Sequence, residues 1–263
     1  MNIPVFIINL ERRPDRLNYM AAQLNDIGIA WECIAAHDMK SVELDLLALE
    51  VAADDHVVEM GSGSQCCALT NFDIYRKIVA EGIPAALILQ EDIELSAEIV
   101  QFLTSVDWLP EDIHLVQFEK YGKTDSYRLL GPALGSMPLE GCALRRLHSR
   151  TAGAACYLIT QEGAARVLAE KPVLRMPIDH FLFSPNVSPI FHRLGVAVIS
   201  PALARQREDG FVSDIEMERQ RRRKKLPARL RRLWQEVNRV PSQLIAILLG
   251  ARWRSFGYTK TRR

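Results

Sequence analysis

The chain has 263 residues, of which 48% are hydrophobic and 25% charged, and its formal net charge at pH 7 is +1. This composition is that of a globular protein and excludes fibrous and repeat classes, while the length allows one large α/β domain with an appendage. The charge is unevenly divided, because residues 205–263 hold 17 Lys or Arg against 6 Asp or Glu. A basic C-terminal segment therefore follows an acidic body.

The first part of the chain alternates between strand and helix patterns. The apolar residues 4–9 predict a buried strand, Pro14 opens an amphipathic helix that Gly28 ends, and residues 31–35 predict a second strand parallel to the first. Later elements are predicted by the same criteria, with helices over about 42–52 and from 61–64 onward, and strands over 85–90, 113–118 and 154–160.

The interval 121–150 is rich in Gly and Pro and has little periodicity, so we expect it to be a long active-site loop region. Through residue 204, the alternation of strands and helices predicts a doubly wound α/β domain. The five cysteines show no CxxC spacing and are expected to be reduced thiols within the core.

An acidic cluster follows the apolar run that begins at Ala85. The run ends in Glu91, Asp92 and Glu94. Carboxylates crowded at the end of a strand are costly unless a cation offsets them, and ligands of open α/β sheets bind beyond the carboxyl ends of the strands. A divalent ion held there can carry a diphosphate, so the pattern indicates a metal-dependent enzyme that uses a nucleotide. A solvated acidic turn after a core strand explains the same residues.

The basic segment carries a cationic run, residues 219–225, followed by an apolar helix face. That face consists of Leu226, Leu230, Leu233 and Val237. A second apolar patch, residues 244–249, is far shorter than the roughly 20 residues that cross a bilayer. We expect this tail to lie on an anionic membrane surface, although packing of its leucines on the catalytic body is an alternative. It has neither interleaved aromatic residues nor a known reading module, so no nucleic acid is expected as a partner.

The N-terminus runs directly into a strand without the pattern of a signal peptide. The expected location is therefore cytoplasmic, peripheral at the inner face of the cytoplasmic membrane.

Four segments occur in an order and at intervals that resemble glycosyltransferase family 25. They are VFIINLERRPDRL (5–17), CCALTNFDIYRKIVAEGIPAALILQEDIEL (66–95), GAACYLITQEGAARVL (153–168) and MPIDHFLF (176–183). The family comprises bacterial lipooligosaccharide glycosyltransferases related to collagen galactosyltransferases. The resemblance, over about residues 3–215, implies a GT-A-like fold with a mostly parallel sheet, an inverting transfer from a UDP-sugar, usually UDP-galactose, and a glycan or glycolipid acceptor. Residues 1–215 are then the catalytic domain and 216–263 a basic amphipathic helical tail.

Three arginines, Arg12, Arg13 and Arg16, follow the first strand. Guanidinium groups beside a helix N-terminus favour a diphosphate, because both offer N–H donors to anionic oxygens. A solvated basic cap paired with Glu11 and Asp15 is the alternative. The resemblance makes four residues of this segment candidates for donor binding, namely Asn9, Leu10, Arg12 and Arg16.

The family usually has an acidic triplet where this chain has Gln90, Glu91 and Asp92. If the strand persists, alternation projects Gln90 and Asp92 to one face and Glu91 to the other. An amide oxygen still coordinates Mn²⁺ or Mg²⁺, but the loss of one charge leaves Asp92 as the principal ligand. Asp92 with Glu94 offers a shifted acidic pair, and Gln90 and Glu91 remain donor-site candidates.

Asn71 is a second departure, since relatives commonly have His at this position and the amide keeps only the hydrogen bonding. It is retained as a donor-site candidate. Together with Gln90, it leaves open a weakened or silent homologue that binds a nucleotide sugar or a partner.

Asp179 is the candidate general base, because inverting transfer needs an acceptor-side carboxylate while the metal stabilises the departing UDP. The alternative is that Asp179 caps the helix that follows it.

Overall fold

A computed structural model of the chain describes residues 2–43, 50–52, 57–122, 126–170, 173–207 and 234–259. The strands in these ranges are β1 (Val5–Asn9), β2 (Glu32–Ala35), β3 (Ala85–Gln90), β4 (Ile93–Leu95), β5 (Leu115–Gln117), β6 (Glu119–Lys120), β7 (Ser126–Leu134), β8 (Ala143–Leu147), β9 (Cys156–Thr160), β10 (Ala197–Ser200), β11 (Ala204–Gln206) and β12 (Arg252–Phe256). The helices are α1 (Pro14–Asp26), α2 (Ser62–Ala80), α3 (Gln161–Glu170), α4 (Ile178–Phe183) and α5 (Val240–Leu248), with a 3₁₀ helix over Ala97–Phe102.

The predicted opening of the fold is confirmed. β1 is buried along its whole length and pairs in parallel with both β2 and β3. Pro14 begins α1, where its missing N–H costs no hydrogen bond, and Gly28 follows the helix with φ +69°. These three parallel strands bring their carboxyl ends to one edge of the sheet.

The large sheet confirms the predicted α/β class and shows that its strands are mixed in direction. Its order is β12-β7-β8-β10-β5-β9-β3-β1-β2. Three of its eight ladders are parallel, those of β1 with β2, β1 with β3, and β5 with β10. β9 lies between β3 and β5 and is antiparallel to both. The three strands of the first 90 residues are therefore parallel to one another, and antiparallel pairs dominate the rest of the sheet.

The expectation of a long loop over residues 121–150 is wrong. Ser126–Leu134 and Ala143–Leu147 form the antiparallel pair β7 and β8, with an irregularity in register between Leu130 and Ala133. Only the middle of β7 is buried, which explains why the sequence shows no regular alternation there.

The core occupies both faces of the sheet. Along β1, Phe6 and Ile8 pack in a cluster with residues of α2, α3 and α4. Val5 and Ile7 point to the other face and pack in a cluster that includes Met20 of α1. Because successive side chains of a strand alternate between faces, a strand covered by helices on both sides is apolar throughout. The predicted helices on both faces are thus confirmed.

A second sheet of three strands has the order β4-β11-β6. It begins directly after Asp92, since β4 starts at Ile93 and contains Glu94. This sheet carries Glu94 away from the end of β3 and places it opposite Arg205 of β11.

The C-terminal segment contains a strand as well as a helix. β12 pairs antiparallel with β7 over five residues, from Arg252 to Phe256, and forms an edge of the large sheet. The segment predicted as a basic amphipathic helical tail, 216–263, thus contains the strand β12 after the helix α5. The cationic run 219–225 and Leu226, Leu230 and Leu233 lie outside the described residues, as does most of the helix predicted over 42–52. Within the described ranges, no helix combines the length and apolar character needed to cross a bilayer.

Candidate active site

A pocket lies where the parallel strands β1, β2 and β3 end. Its lining comes from the segments that follow these strands and from the first two turns of α2, and its volume is about 110 Å³. The lining residues are Ile8, Leu10, Arg12, Arg16, Ala36, His37, Asp38, Met39, Gly63, Cys66, Cys67, Gln90, Glu91 and Asp92. The position is the one expected for a ligand of an open α/β sheet, at the carboxyl ends of its strands.

Two arginines of the pocket are held by carboxylates that follow different strands. Arg12 Nε donates to Asp38 Oδ2 at 2.6 Å, and Arg16 Nη1 donates to Glu91 Oε1 at 3.0 Å. Burial alone would raise the pKa of Asp38, but the hydrogen bonds from Arg12 and from the Lys40 N–H, together with the charges of these two residues, outweigh burial and lower the pKa. The side chains of Arg16 and Glu91 are only 5% and 10% exposed, so this second pair is a buried ion pair.

Gln90 and two acids of the cluster, Glu91 and Asp92, line the pocket. β3 ends at Gln90, and the chain turns at Glu91 and Asp92, so all three side chains line the pocket. Burial raises the pKa of Glu91 to about 7, and the Asp92 carboxylate acts in the same direction, against the opposing effect of Arg16. Burial also raises the pKa of Asp92. The alternation expected for a continuing strand does not apply, because the strand stops one residue before Glu91.

Asp92 has a buried oxygen that suits a cation. Its Oδ1 atom is buried and has no hydrogen-bond partner among the described residues. The described part of the chain contains no group of three or more His, Cys, Asp or Glu residues able to hold a metal by itself. Glu94 does not reach the pocket, because it pairs with Arg205 at 2.7 Å in the small sheet. The shifted pair of Asp92 and Glu94 is therefore not brought together.

Asp179 lies in the first turn of α4, next to the pocket. Its Oδ1 accepts the His180 N–H at 2.9 Å, and its Oδ2 accepts the Gly153 N–H at 3.5 Å. Pro177, not Asp179, occupies the N-cap position of α4. Burial raises the pKa of Cys67, a pocket residue, to about 12, and the charges of Asp179, Glu91 and Asp92 act in the same direction.

Glu119 is a buried acid that the sequence pattern did not indicate as a site residue. It is 0% exposed, and its Oε2 accepts the Ala155 N–H at 2.7 Å. Burial raises its pKa to about 8, and the nearby charges of Asp92 and Asp179 contribute in the same direction. The chain passes so close that a Cβ at Gly153 would lie 2.6 Å from both carboxylate oxygens. In the sequence, the indication of Glu119 was its position as a single acid directly after the predicted strand 113–118.

Two predicted donor-site residues lie behind the pocket. Asn71 is fully buried, and its amide donates to the Cys67 carbonyl at 2.7 Å. The amide oxygen accepts a hydrogen bond from the Tyr157 hydroxyl, which also contacts the Tyr75 hydroxyl at 2.7 Å. Asn9 is 3% exposed and donates to the Leu10 carbonyl. Neither lines the pocket, whereas Leu10, Arg12, Arg16, Gln90, Glu91 and Asp92 do.

Comparison with known proteins identifies the family. A relative from Aedes aegypti, named Glycosyltransferase 25 family member, is 28% identical over 81% of this chain and 38% of its own length. Procollagen galactosyltransferase 1 of Danio rerio is 26% identical over 68% of this chain and 30% of its length. The human Inactive glycosyltransferase 25 family member 3 is 26% identical over 68% of this chain and 31% of its own length. This chain thus spans about a third of the length of these relatives. The family model described as Glycosyltransferase family 25 (LPS biosynthesis protein) matches residues 2–182, and the chain belongs to that family.

Proposed function

We propose that this chain transfers a sugar, with galactose as the first candidate, from a UDP-sugar to a lipooligosaccharide or other surface-glycan acceptor, with inversion. One observation carries the proposal. The pocket at the ends of three parallel strands combines two arginines with Asp92, whose buried oxygen lacks a protein partner in the described ranges. Cationic side chains for a diphosphate and a carboxylate for a divalent ion are the groups that a nucleotide-sugar site requires.

Arg12 and Arg16, together with the first turn of α2, form the proposed diphosphate contacts. Gly63 of that turn lines the pocket, and the N–H groups of a helix N-terminus favour phosphate oxygens. Both arginines already contact carboxylates, so we expect the diphosphate to compete with Asp38 and Glu91 for their N–H donors. The carboxylates fix the two guanidinium groups in the pocket before the donor arrives.

The residues present fit a divalent ion that binds jointly to protein and donor. Mg²⁺ and similar ions are commonly held by one or two carboxylates together with substrate phosphates, and Asp92 with the Gln90 amide can supply the protein ligands. When bound, Mn²⁺ or Mg²⁺ would neutralise charge that develops on the departing UDP. Because Gln90 replaces one acid of the usual triplet, we expect weak metal binding until the donor is present.

Asp179 is proposed to take the proton from the acceptor hydroxyl. It lies in the first turn of α4, and its charge acts on Cys67 of the pocket together with those of Glu91 and Asp92. Glu119 stays largely protonated at pH 7 because its pKa is about 8, so it adds little negative charge beside Asp92 and Asp179.

The acceptor proposed here would be presented at the inner face of the cytoplasmic membrane. Support comes from the description of the matched family as LPS biosynthesis proteins and from the basic C-terminal segment. The galactosyl group is proposed because a matched relative is named a procollagen galactosyltransferase.

A silent homologue that binds a nucleotide sugar is the second candidate. Gln90 replaces an acid of the usual triplet, and a human relative of comparable similarity is named inactive. Under this alternative, the pocket would bind UDP-sugars without transferring the sugar.

The test combines donor titration with product analysis. The protein is incubated with Mn²⁺, a panel of UDP-sugars and truncated lipooligosaccharide acceptors, and products are identified by mass. We expect transfer from one donor that Asp92→Asn nearly abolishes, while Glu94→Gln, changed outside the pocket, retains it. Donor binding without transfer or hydrolysis would establish the silent alternative, and absence of both would refute the nucleotide-sugar site.

A further inference from the structure

An apolar stripe covers the outward face of α5. Its members are Leu244, Ile245, Leu248 and Leu249, which are 55%, 58%, 85% and 76% exposed. Residues four apart along a helix lie on one face, so these four side chains form a continuous surface. Large aliphatic side chains exposed to this extent side by side are uncommon on a protein that has no partner for them.

The stripe belongs to a well-anchored part of the fold. Ala246 and Ala251 are buried against Leu129 of β7, which fixes the opposite side of α5. Arg252 Nη1 donates to the carbonyl oxygens of Ile247 and Ala251 at 3.0 and 2.9 Å, and so satisfies groups at the C-terminal end of the helix. The exposure of the stripe is therefore a property of the folded arrangement.

β12 extends the same surface with an aromatic side chain. Trp253 is paired with Leu129 across the antiparallel ladder, so its side chain points to the face of the sheet on which α5 packs. It is 52% exposed. Tryptophan beside aliphatic residues is the composition favoured at the boundary between headgroups and acyl chains of a bilayer.

The charge around the stripe is positive. The sequences of α5 and β12 contain no Asp or Glu, and Arg252, whose guanidinium contacts the end of α5, is exposed. In the sequence, the cationic run 219–225 precedes this surface.

We propose that α5 and β12 form a docking surface for an anionic lipid bilayer. The apolar stripe would enter the boundary of the acyl chains, and Arg252 at the end of α5 would contact an anionic headgroup. A helix of nine residues is about 13 Å long, so it can lie in the interface but not cross it. A second copy of the chain fits less well, because a two-fold contact through this surface would bring Arg252 of both copies to the same interface without an acid on α5 or β12 to pair with them.

This inference rests on the proposed function only in that a membrane would present the acceptor. It narrows the membrane-lying tail predicted from the sequence, because the inserted face moves from Leu226, Leu230, Leu233 and Val237 to the apolar patch 244–249 and Trp253. Its test does not use sugar transfer, so a failure leaves the proposed transferase intact.

The experiment measures sedimentation of the full chain with vesicles of phosphatidylcholine, with and without phosphatidylglycerol. We expect binding only to the anionic vesicles, weakened by salt, and at least about tenfold weaker for the double variant Leu248→Glu, Leu249→Glu. Val100→Glu, a change at an exposed apolar residue in the 3₁₀ helix, is the matched control and should bind as the unchanged protein does. A blue shift of fluorescence on vesicle binding that Trp253→Phe removes would place β12 at the lipid.

Three results would overturn the proposal. The first is unchanged vesicle binding by the double variant, while replacement of the Arg and Lys residues of 219–225 by Gln abolishes it. The second is no binding to anionic vesicles at low salt by the unchanged protein. The third is a dimer in the absence of vesicles that the double variant abolishes, since a second copy would then cover the stripe. Circular dichroism and UDP-sugar titration of each variant verify that the fold and the pocket are retained.

Discussion

Replacement of Arg16 by Met would remove the cation from the buried ion pair of the pocket. Arg16 and Glu91 are 3.0 Å apart, with side chains 5% and 10% exposed, so little solvent can screen the carboxylate that remains. Removing one partner of a buried pair typically costs about 3–5 kcal/mol, because the other charge stays desolvated. Glu91 can instead bind a proton, and at pH 8, one unit above its pKa of about 7, this limits the additional cost relative to low pH to about 1.4 kcal/mol. We therefore expect a loss of about 2 kcal/mol in the free energy of unfolding at pH 8.

The cost should be smaller at low pH. The pKa of Glu91 in the fold is about 7, above its ordinary value of 4.5, so between these values the folded protein holds a proton that the unfolded chain has lost. The stability that the folded protein gains by keeping Glu91 protonated is fully present below pH 4.5 and is lost as the pH rises through 7. Without Arg16 the pKa rises further, which extends the loss to higher pH. At pH 5 we therefore expect Arg16→Met to cost no more than about 1 kcal/mol of electrostatic origin.

The assay is urea unfolding followed by circular dichroism at pH 5 and pH 8, with EDTA present. Arg13→Met is the matched control, because Arg13 pairs with the half-exposed Asp15 and its removal should cost less than about 1 kcal/mol at either pH. A double variant, Arg16→Met with Glu91→Met, should be more stable at pH 8 than Arg16→Met alone. Equal losses at pH 5 and pH 8 would refute the reasoning, since the cost would then come from packing and not from charge.

Three further predictions concern the acidic side of the site. Glu119→Gln should remove a fall in stability between about pH 4.5 and 8 that the unchanged protein shows in urea unfolding, because the pKa of this buried acid is about 8, and identical pH slopes would contradict it. Asp179→Asn should lower turnover by about 10²–10⁴-fold with unchanged affinity for the UDP-sugar, whereas a loss below about 10-fold would exclude the role of base. Gly153→Ala should cost at least about 2 kcal/mol of unfolding free energy, because φ is +89° and the added Cβ would meet the Glu119 carboxylate at 2.6 Å. Gly141→Ala, at φ +82° in open space, should cost less, and equal costs would show that the contact with Glu119 is unimportant.

Part of the site could be predicted from local sequence because its residues follow apolar strands directly. The buried runs of β1 and β3 are readable as strands, so local patterns suffice to assign Arg12, Arg16 and Asp92 to the segments that follow strand ends. The four family segments supported the same positions and identified Asp179. None of these inferences required knowledge of which strands are neighbours.

Long-range pairing decided the rest of the site. Asn71 lies in a family segment and was predicted to bind the donor, but it is buried in the core, where it accepts a hydrogen bond from Tyr157, 86 residues later. Glu94 is two residues from Asp92, yet its contact with Arg205 holds it in another sheet. Such contacts depend on tertiary partners that local periodicity does not report.

The sequence by itself determined the α/β class, the family and the carboxyl-end position of the acidic cluster, because hydrophobic periodicity and short motifs are local properties. Only the tertiary structure decided that β9 enters antiparallel between β3 and β5, and that β12 completes the edge beside β7. It also packed the Glu119 carboxylate against Gly153 and left the apolar stripe of α5 exposed. The physical reason is that strand direction, the burial of a single acid and the covering of a helix face depend on contacts between residues distant in the chain.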